Sequence, residues 1–249
     1  MTELCNKIDN FELFRVKDHS MIRTILFFIL LATTSTMYAQ SKVNQFDEDG
    51  KRHGKWKKFY NNERVRYVGE FDHGKEIGIF KYYSASNSDN PTIIKEYDPN
   101  SESAKVRFYT PSGVLESEGK MMGKMREGKW LFYHPDGKSV MSEENYVNGK
   151  LHGTYNTFYI SGEPTEVTSY KNGLLDGNYK KYSIKGFLYQ DFNYSQGKLN
   201  GMAIYYSRKS GDLIKKGPFK DDQRVGTWEN YVDGELVSTE QPALKPERE

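Results

Sequence analysis

Two of the five histidines stand at matching places in the chain. If these places formed metal sites, they would need to carry residues that can bind a metal. His53 and His152 each come directly before a glycine that recurs along the sequence. The same place is filled elsewhere by Ile77, Asp176 or Asn200. Imidazole is the commonest metal ligand, but a position that also accepts isoleucine and asparagine favours a structural role beside a turn. The histidine pattern therefore predicts no metal ligand.

A second candidate for chemistry is the pair Ser195 and Lys198, which has the Ser-x-x-Lys spacing of some serine nucleophiles. That spacing needs a helix to bring the lysine beside the serine, whereas here Gly197 lies between them in a recurring turn pattern. Carboxylates such as Glu143 and Glu144 stand in polar contexts, and no phosphate-binding loop precedes a helix pattern. We therefore expect no catalytic residue and no cofactor.

The composition bounds the class of protein and of partner. The chain has 36 Lys and Arg against 34 Asp and Glu, a formal net charge of +2, so the charge balance predicts no nucleic-acid partner. Hydrophobic residues make up 36% and aromatic residues 14%. Disordered chains are poor in aromatic residues, whereas β-strands accommodate them well. The single cysteine, Cys5, rules out an internal disulfide.

Glycines recur at a nearly constant spacing and mark an internal repeat. Neighbouring anchor glycines are 24 or 25 residues apart, except for a gap of 50 between Gly78 and Gly128, which has Ser103 at its midpoint. Position numbers below count from the anchor of each unit. The anchors are Gly54, Gly78, Gly128, Gly153, Gly177, Gly201 and Gly226.

Aromatic side chains recur at two positions of the repeat. Position five is aromatic in every unit: Phe59, Tyr83, Phe108, Tyr133, Phe158, Tyr182, Tyr206 and Tyr231. Position two is aromatic in six units, Trp56, Phe80, Trp130, Tyr155, Tyr179 and Trp228, and is filled by Lys105 and Ala203 in the other two. At 14% aromatic content this agreement is not chance. It predicts eight units, including a degraded third unit anchored on Ser103.

The turn residues predict the fold. Asn148-Gly149 and Asn172-Gly173 are two-residue hairpin signals, because both residue types accept the positive φ of a primed turn. A second turn in each unit is marked by sequences such as Pro135-Asp136-Gly137, and the segments between turns have strand length. We therefore expect an all-β protein: an elongated, open antiparallel meander of about eight tandem β-hairpins in a single-layer twisted ribbon.

Strand parity leaves the role of the two aromatic rows open. Positions two and five differ by three, so in a regular strand their side chains point to opposite faces. A bulge between them would return both to one face. Lys57, Lys81 and Lys180 share position three and so belong with position five on a half-solvated face. The rows either hold the ribbon together or leave a stripe of rings exposed as a binding surface.

The N-terminal segment predicts export. Residues 21–39 carry Arg23, an apolar run and a small-residue site that favours cleavage after Ala39, the order of a signal peptide. Residues 1–20 do not fit that order and are interpreted as a mis-assigned extension that precedes a start at Met21. Residues 44–237 form the repeat domain, and the tail 238–249, with two prolines, is expected to be disordered.

The repeat resembles the MORN repeat, and in its period and degeneracy the bacterial MORN-variant group. The resemblance is carried by Gly-Lys-x-His-Gly at Gly50–Gly54 and Gly149–Gly153, by Glu70–Lys75, and by the aromatic residue at position two. It covers about residues 44–237 and weakens in the third and last units. The family resemblance implies an elongated hairpin sheet used for attachment to proteins or membranes, and some members are described as antitoxins.

These observations lead to three hypotheses for function. The first is an exported, periplasmic, outer-membrane-associated or secreted module that binds another protein and performs no catalysis. The second is peripheral association with a membrane surface through the lysine and aromatic rows. The third is an antitoxin-like inhibitor, which fits poorly with an export signal. Self-association through the edges of the sheet is a further expectation.

Overall fold

The structure, a computed structural model, describes residues 42–242. The interpreted extension at 1–20 and the signal segment at 21–39 lie outside the described residues, as does most of the tail. Nineteen strands follow in chain order: β1 Gln45–Phe46, β2 Arg52–Phe59, β3 Val65–Asp72, β4 Lys75–Tyr83, β5 Pro91–Tyr97, β6 Ser103–Tyr109, β7 Leu115–Met122, β8 Met125–Tyr133, β9 Val140–Val147, β10 Lys150–Phe158, β11 Pro164–Lys171, β12 Leu174–Tyr182, β13 Leu188–Ser195, β14 Lys198–Leu199, β15 Gly201–Tyr206, β16 Leu213–Lys220, β17 Gln223–Arg224, β18 Trp228–Val232 and β19 Glu235–Glu240.

The strands form one open antiparallel sheet in which each strand pairs with its neighbour in the chain. The short pieces β14 and β15 together act as one strand, as do β17 and β18, because both pieces pair with the same neighbour. The sheet therefore consists of eight hairpins, from β2–β3 to β17/β18–β19, preceded by the short β1. The expected meander of hairpins is confirmed, and we number the hairpins as units 1 to 8.

Two-residue turns join successive units at one edge of the sheet, except between units 2 and 3, where residues 98–102 connect β5 to β6. Asn148 and Gly149 have φ values of 51° and 75°, and Val147 pairs with Lys150 across them, as the primed hairpin turn requires. The Gly149 N–H donates to the carbonyl oxygen of Arg126 in the preceding unit, at 3.0 Å. The short turns thus pack on one another along the edge.

The anchor glycines lie inside strands and not beside turns, which corrects the sequence interpretation. Lys120 pairs with Glu127 and Gly119 pairs with Trp130, so Gly128 and its successor have no partner on that strand. Gly128 takes a φ of 67° in this bulge, a region that glycine enters without the cost other residues meet. The two extra residues let the two-residue turn reach the preceding unit.

The third unit departs from the spacing read in the sequence. The spacing put Lys105 at position two and Phe108 at position five. In the structure, Val106 occupies the buried place of position two. Tyr109 pairs at the hairpin end, as the residue at position five does in other units. The pairing of β5 with β6 runs from Ile93 and Phe108 to Tyr97 and Ala104, next to Ser103, without a register shift. Without an anchor glycine at positive φ, no bulge forms, and the unit is displaced by one residue.

The C-terminal strand runs further than the sequence indicated. The tail was expected to be disordered from Ser238, yet β19 continues to Glu240. Its last residues pair with the strand that carries the third tryptophan, Trp228 with Glu240 and Asn230 with Ser238. Backbone pairing with β18 and the ion pairs of Glu240 order this segment. Among residues 42–242, none belongs to a helix long and apolar enough to cross a membrane.

Candidate binding face

The side chains at position two form a row of buried and half-buried residues on one side of the sheet, which we call the aromatic face. Phe80 and Trp130 are 0% exposed and Trp228 is 1% exposed. Their burial in a single sheet depends on contacts with rings of the adjacent strands. The row comprises Trp56, Phe80, Val106, Trp130, Tyr155, Tyr179, Ala203 and Trp228.

Glycines on the neighbouring strands make room for three of these rings. A Cβ atom on Gly119 would lie 2.4 Å from the Trp130 ring, and one on Gly217 would lie 2.2 Å from the Trp228 ring. Phe80 covers Gly69 in the same way, again at 2.4 Å. Since real Cβ atoms do not approach a ring so closely, no other residue fits beneath these rings without displacing them.

An arginine accompanies each of the three tryptophans. The guanidinium carbon lies 5.5 Å from the ring centre for Arg52 and Trp56, 4.8 Å for Arg126 and Trp130, and 3.9 Å for Arg224 and Trp228. Each arginine precedes its tryptophan by four residues across the glycine bulge. The sequence reading missed this arginine–tryptophan spacing, although it can be read from the chain directly. It places a cation on the aromatic face in three units.

Position five lies on the other side of the sheet, so the parity question is resolved in favour of two faces. The ring of Phe59 is 46% exposed and lies 5.2 Å from the ammonium of Lys57 at position three. Tyr133 donates its hydroxyl hydrogen to Glu118 at 2.5 Å. A bulge is present, but it lies on the facing strand. In the pair β8–β9 it falls on β9, because Phe132 pairs with Ser142 and Tyr133 pairs with Val140.

Tyrosine hydroxyls on both faces stay protonated at neutral pH. Burial raises the pKa of Tyr133 and its hydrogen bond to Glu118 adds to this, to about 12. Burial also raises the pKa of Tyr155, Tyr179 and Tyr205 on the aromatic face. These side chains therefore serve as hydrogen-bond donors and as apolar surface, and not as bases.

A groove of about 410 Å³ opens on the aromatic face near the C-terminal end of the sheet. It combines rings with three cations, and the Arg208 guanidinium lies 4.0 Å from the ring centre of Tyr189. Arg208 makes no ion pair with a carboxylate of the described part of the chain. The groove is lined chiefly by Tyr189, Tyr205, Arg208, Lys215, Arg224 and Trp228.

One carboxylate of the chain already reaches these cations. Glu240 accepts a hydrogen bond from the Lys215 ammonium at 2.7 Å and a second from Arg224. Lys215 and Arg224 together lower the pKa of the Glu240 carboxyl to about 2. The groove wall therefore has the charge and the donors to bind a carboxylate.

Two buried donors beside the groove lack an acceptor among the described residues, namely Nε1 of Trp228 and Nε of Arg224. The equivalent Nε1 of Trp130 donates to the carbonyl oxygen of Lys120 at 3.0 Å. A buried donor without a partner costs free energy. The third tryptophan thus lacks the internal acceptor that the Lys120 carbonyl supplies in unit 4.

Cross-strand ion pairs cover the opposite face. Lys129 binds Glu143 at 2.8 Å, and Lys180 at position three lies 3.7 Å from Asp191. Further pairs join Arg107 with Glu96 and Lys216 with Glu229. Carboxylates therefore pair with some of the cations on this face. Lys57 and Lys81 at position three make no ion pair within residues 42–242, unlike Lys180.

The residues first considered for chemistry are dispersed along the sheet. Ser195 and Lys198 pair across a two-residue turn, where no helix brings the lysine to the serine. His134 contacts the carbonyl oxygen of Phe158 at 3.1 Å, and His152 has a buried Nδ1 without a partner in the described region. Among residues 42–242, only His53 and His73 at the start of the sheet lie close to other groups that bind metals.

Comparisons with known proteins leave the family unassigned. No protein-family model and no curated protein sequence matches the chain. Among solved structures, a mutant of S. aureus TarM in complex with fondaparinux, alpha-GlcNAc-glycerol and UDP aligns with a TM-score of 0.24 and 10% identity, covering 54% of this chain and 21% of that one. The chain thus spans about a fifth of that protein, and a likeness this low supports no inference about function. The MORN-variant resemblance stays a prediction from the repeat.

Proposed function

We propose that the chain is a non-catalytic protein-binding module that uses the aromatic face, and that its groove takes an acidic side chain of the partner. The observation that carries this proposal is the groove itself, where three cations and several rings converge. Rings and arginine are the residue types enriched at the energetic centres of protein interfaces. The bound Glu240 supplies an internal example of the acidic group that fits.

The partner chemistry follows from the charges. Arg208 has its guanidinium against Tyr189 and no carboxylate partner within residues 42–242. A carboxylate of a partner can bind Arg208 without displacing Glu240 from Lys215. An aromatic residue beside that carboxylate would contact Tyr205 and Tyr189. An extended segment with an acidic residue next to an aromatic one fits this groove.

Selection of random displayed peptides on the immobilised full-length chain tests the proposal. We expect enrichment of Asp or Glu beside an aromatic residue, followed by saturable binding of the synthetic peptide in fluorescence anisotropy. Arg208→Glu should weaken that binding at least about tenfold, because it replaces a charge pair with a repulsion. Lys57→Glu, the same reversal on the opposite face, is the matched control. Peptides without acidic residues, or equal affinity for Arg208→Glu, would contradict the proposal.

Self-association is a second role that one edge favours. Strand β19 pairs only with β18 within the described chain, and Leu236 and Val237 on it are 53% and 57% exposed. An unpaired edge strand offers its backbone groups to another chain. Sedimentation velocity should detect dimers that Val237→Lys abolishes. A monomer at all concentrations would exclude this role.

The membrane hypothesis draws partial support from the lysine row, because Lys180 pairs with Asp191 whereas Lys57 and Lys81 make no ion pair within the described residues. Flotation with vesicles that contain anionic lipid distinguishes it from peptide binding, since the module should stay in the dense fraction. Export belongs to the proposal as well. N-terminal sequencing of the mature protein from a periplasmic or secreted fraction should begin at Gln40, and a mature chain that retains residues 21–39 would contradict it.

A further inference from the structure

Two histidines and an aspartate come together at the first hairpin. Gly54 pairs with Phe71, so His53 and Asp72, one residue further along each strand, face each other. His73 follows at once in the two-residue turn, with a φ of 45°. The Oδ1 atom of Asp72 lies 3.5 Å from Nδ1 of His53 and 3.9 Å from Nε2 of His73. One ligand atom from each residue lies within 4.8 Å of the other two.

These distances match a small coordination sphere. Zinc binds imidazole nitrogen and carboxylate oxygen at about 2.0–2.1 Å in tetrahedral geometry, which places neighbouring ligand atoms about 3.4 Å apart. The separations of 3.5 and 3.9 Å from Asp72 are close to that value. All three side chains are exposed, so small rotations of His53 and His73 can close the remaining distance.

A fourth residue fixes the orientation of one imidazole. Nδ1 of His73 lies 2.6 Å from Oδ2 of Asp47, whose side chain is only 9% exposed. The other oxygen of Asp47 accepts the backbone N–H groups of Asp49 and Lys51 at 3.0 and 2.8 Å. The carboxylate is therefore held in place and accepts a hydrogen bond from the Nδ1–H group of His73. Nε2 is then left to bind a metal, the arrangement in which a carboxylate orients a histidine ligand.

We propose that His53, Asp72 and His73 bind one divalent transition-metal ion, with Asp47 as a positioning residue. Imidazole and carboxylate donors suit zinc, copper and nickel. Three protein ligands leave a fourth position for water or for a group of a partner. This site lies at the first unit, whereas the groove of the proposed binding function spans the sixth to eighth units, so the two proposals stand or fall separately.

The repeat provides an internal comparison for this site. His152 occupies the place of His53 in unit 5, and Gly153 pairs with Tyr170 there. The residues that correspond to Asp72 and His73 are then Lys171 and Asn172. An ammonium group repels a cation and the unit offers no second imidazole. His152 is therefore a matched control of the same residue type at the same place in the hairpin.

Calorimetric titration of the untagged full-length chain with zinc chloride tests the proposal. We expect saturable binding of one ion per chain at this site, and visible absorption bands of a tetrahedral complex when cobalt replaces zinc. His53→Ala and His73→Ala should each weaken binding at least about tenfold, and Asp47→Asn should weaken it by about 10-fold to 100-fold, the range of positioning carboxylates. His152→Ala should leave the affinity unchanged.

Simple ion pairs between protonated histidines and aspartates are the rival explanation for the same distances. They predict no saturable binding of zinc and no cobalt absorption bands. The double variant His53→Ala with His73→Ala also reports any binding by Cys5 elsewhere in the chain. The proposal is overturned if no site saturates, or if the double variant binds zinc as tightly as the unchanged protein.

Discussion

Units built on tryptophan and units built on tyrosine form the same face with different neighbours. In unit 4 the Trp130 ring is fully buried, with Gly119 beneath it and Arg126 beside it. In unit 6 the ring of Tyr179 is half-buried. It pairs with Thr168 and is stacked on Phe192, with the ring centres 5.9 Å apart.

The difference shows that side-chain volume is shared across strands. A large ring at position two packs against a glycine on the preceding strand, as Trp130 does against Gly119. Where a strand carries Phe192 instead, the next position two is filled by Ala203 in the same buried cluster. Leu175 in unit 6 stands where Arg126 stands in unit 4. The sheet therefore keeps its spacing, while an arginine at this place accompanies only the tryptophan units. The cation nearest the Tyr179 ring is instead Lys181, at 5.5 Å from the ring centre.

Removal of the unit 4 ring should have the largest effect. Trp130→Ala leaves a cavity over Gly119 and should lower the free energy of unfolding by about 3–5 kcal/mol. Tyr179→Ala should cost less, because that ring is only half-buried. Urea denaturation followed by circular dichroism measures both. Equal losses would contradict the different packing of the two units.

Addition of one methyl group beneath the ring tests the same contact from the other side. Gly119→Ala puts a Cβ 2.4 Å from the Trp130 ring and should destabilise the protein by about 1–3 kcal/mol. A smaller side chain should relieve the clash, so the cost of Gly119→Ala should shrink in a Trp130→Val background. A double-mutant cycle that finds the two changes additive would rule out direct packing.

The anchor glycines of the tyrosine units should resist replacement. Gly153 and Gly177 have φ values of 90° and 107°, so Gly153→Val and Gly177→Val should each cost about 1–3 kcal/mol through backbone strain. Thr154→Val, next to one anchor in ordinary strand conformation, is the control. Melting temperatures that do not change for the glycine variants would count against the bulge register.

Loss of the arginine that precedes the ring by four residues should affect the tryptophan units alone. Arg126→Met removes the charge from Trp130 and a hydrogen bond to the Tyr146 hydroxyl at 2.9 Å, at a cost of about 1 kcal/mol. Leu175→Met at the equivalent place in unit 6 should be close to neutral. Thermal denaturation of the pair distinguishes them, and equal shifts would deny arginine a special role.

The smallest expected effect is a pH dependence of the melting temperature that arises from Glu240 in unit 8 and not from the other tryptophan units. The Glu240 pKa is lowered from 4.5 to about 2 in the folded protein. Its stabilisation should therefore be complete above the unfolded pKa and be lost as the pH falls from about 4.5 through about 2. Between pH 5 and 2, the melting temperature should fall less steeply for Glu240→Gln than for the unchanged protein. Parallel curves would show that Glu240 contributes nothing.

Much of the fold could be read from the chain because its signals are local. The short turns at Asn148-Gly149 and Asn172-Gly173 depend on residues that accept positive φ, and the period of 24 or 25 residues follows from one hairpin per unit. That positions two and three lie on opposite faces also follows once strands are assumed, whereas the burial of position two did not follow from the sequence. Arg52, Arg126 and Arg224 were readable too, at a constant spacing from each tryptophan.

What the sequence by itself determined is the repeat: eight hairpins, their turns and the residues that alternate between two faces, since each depends on neighbours within one unit. The tertiary structure alone decided which residues meet across strands. It displaced unit 3 by one residue, because pairing with β5 lacks the glycine bulge. It placed His53 against Asp72 and His73, and Glu240 against Lys215. Such contacts depend on the register between strands, which a two-residue bulge changes without leaving a periodic signal.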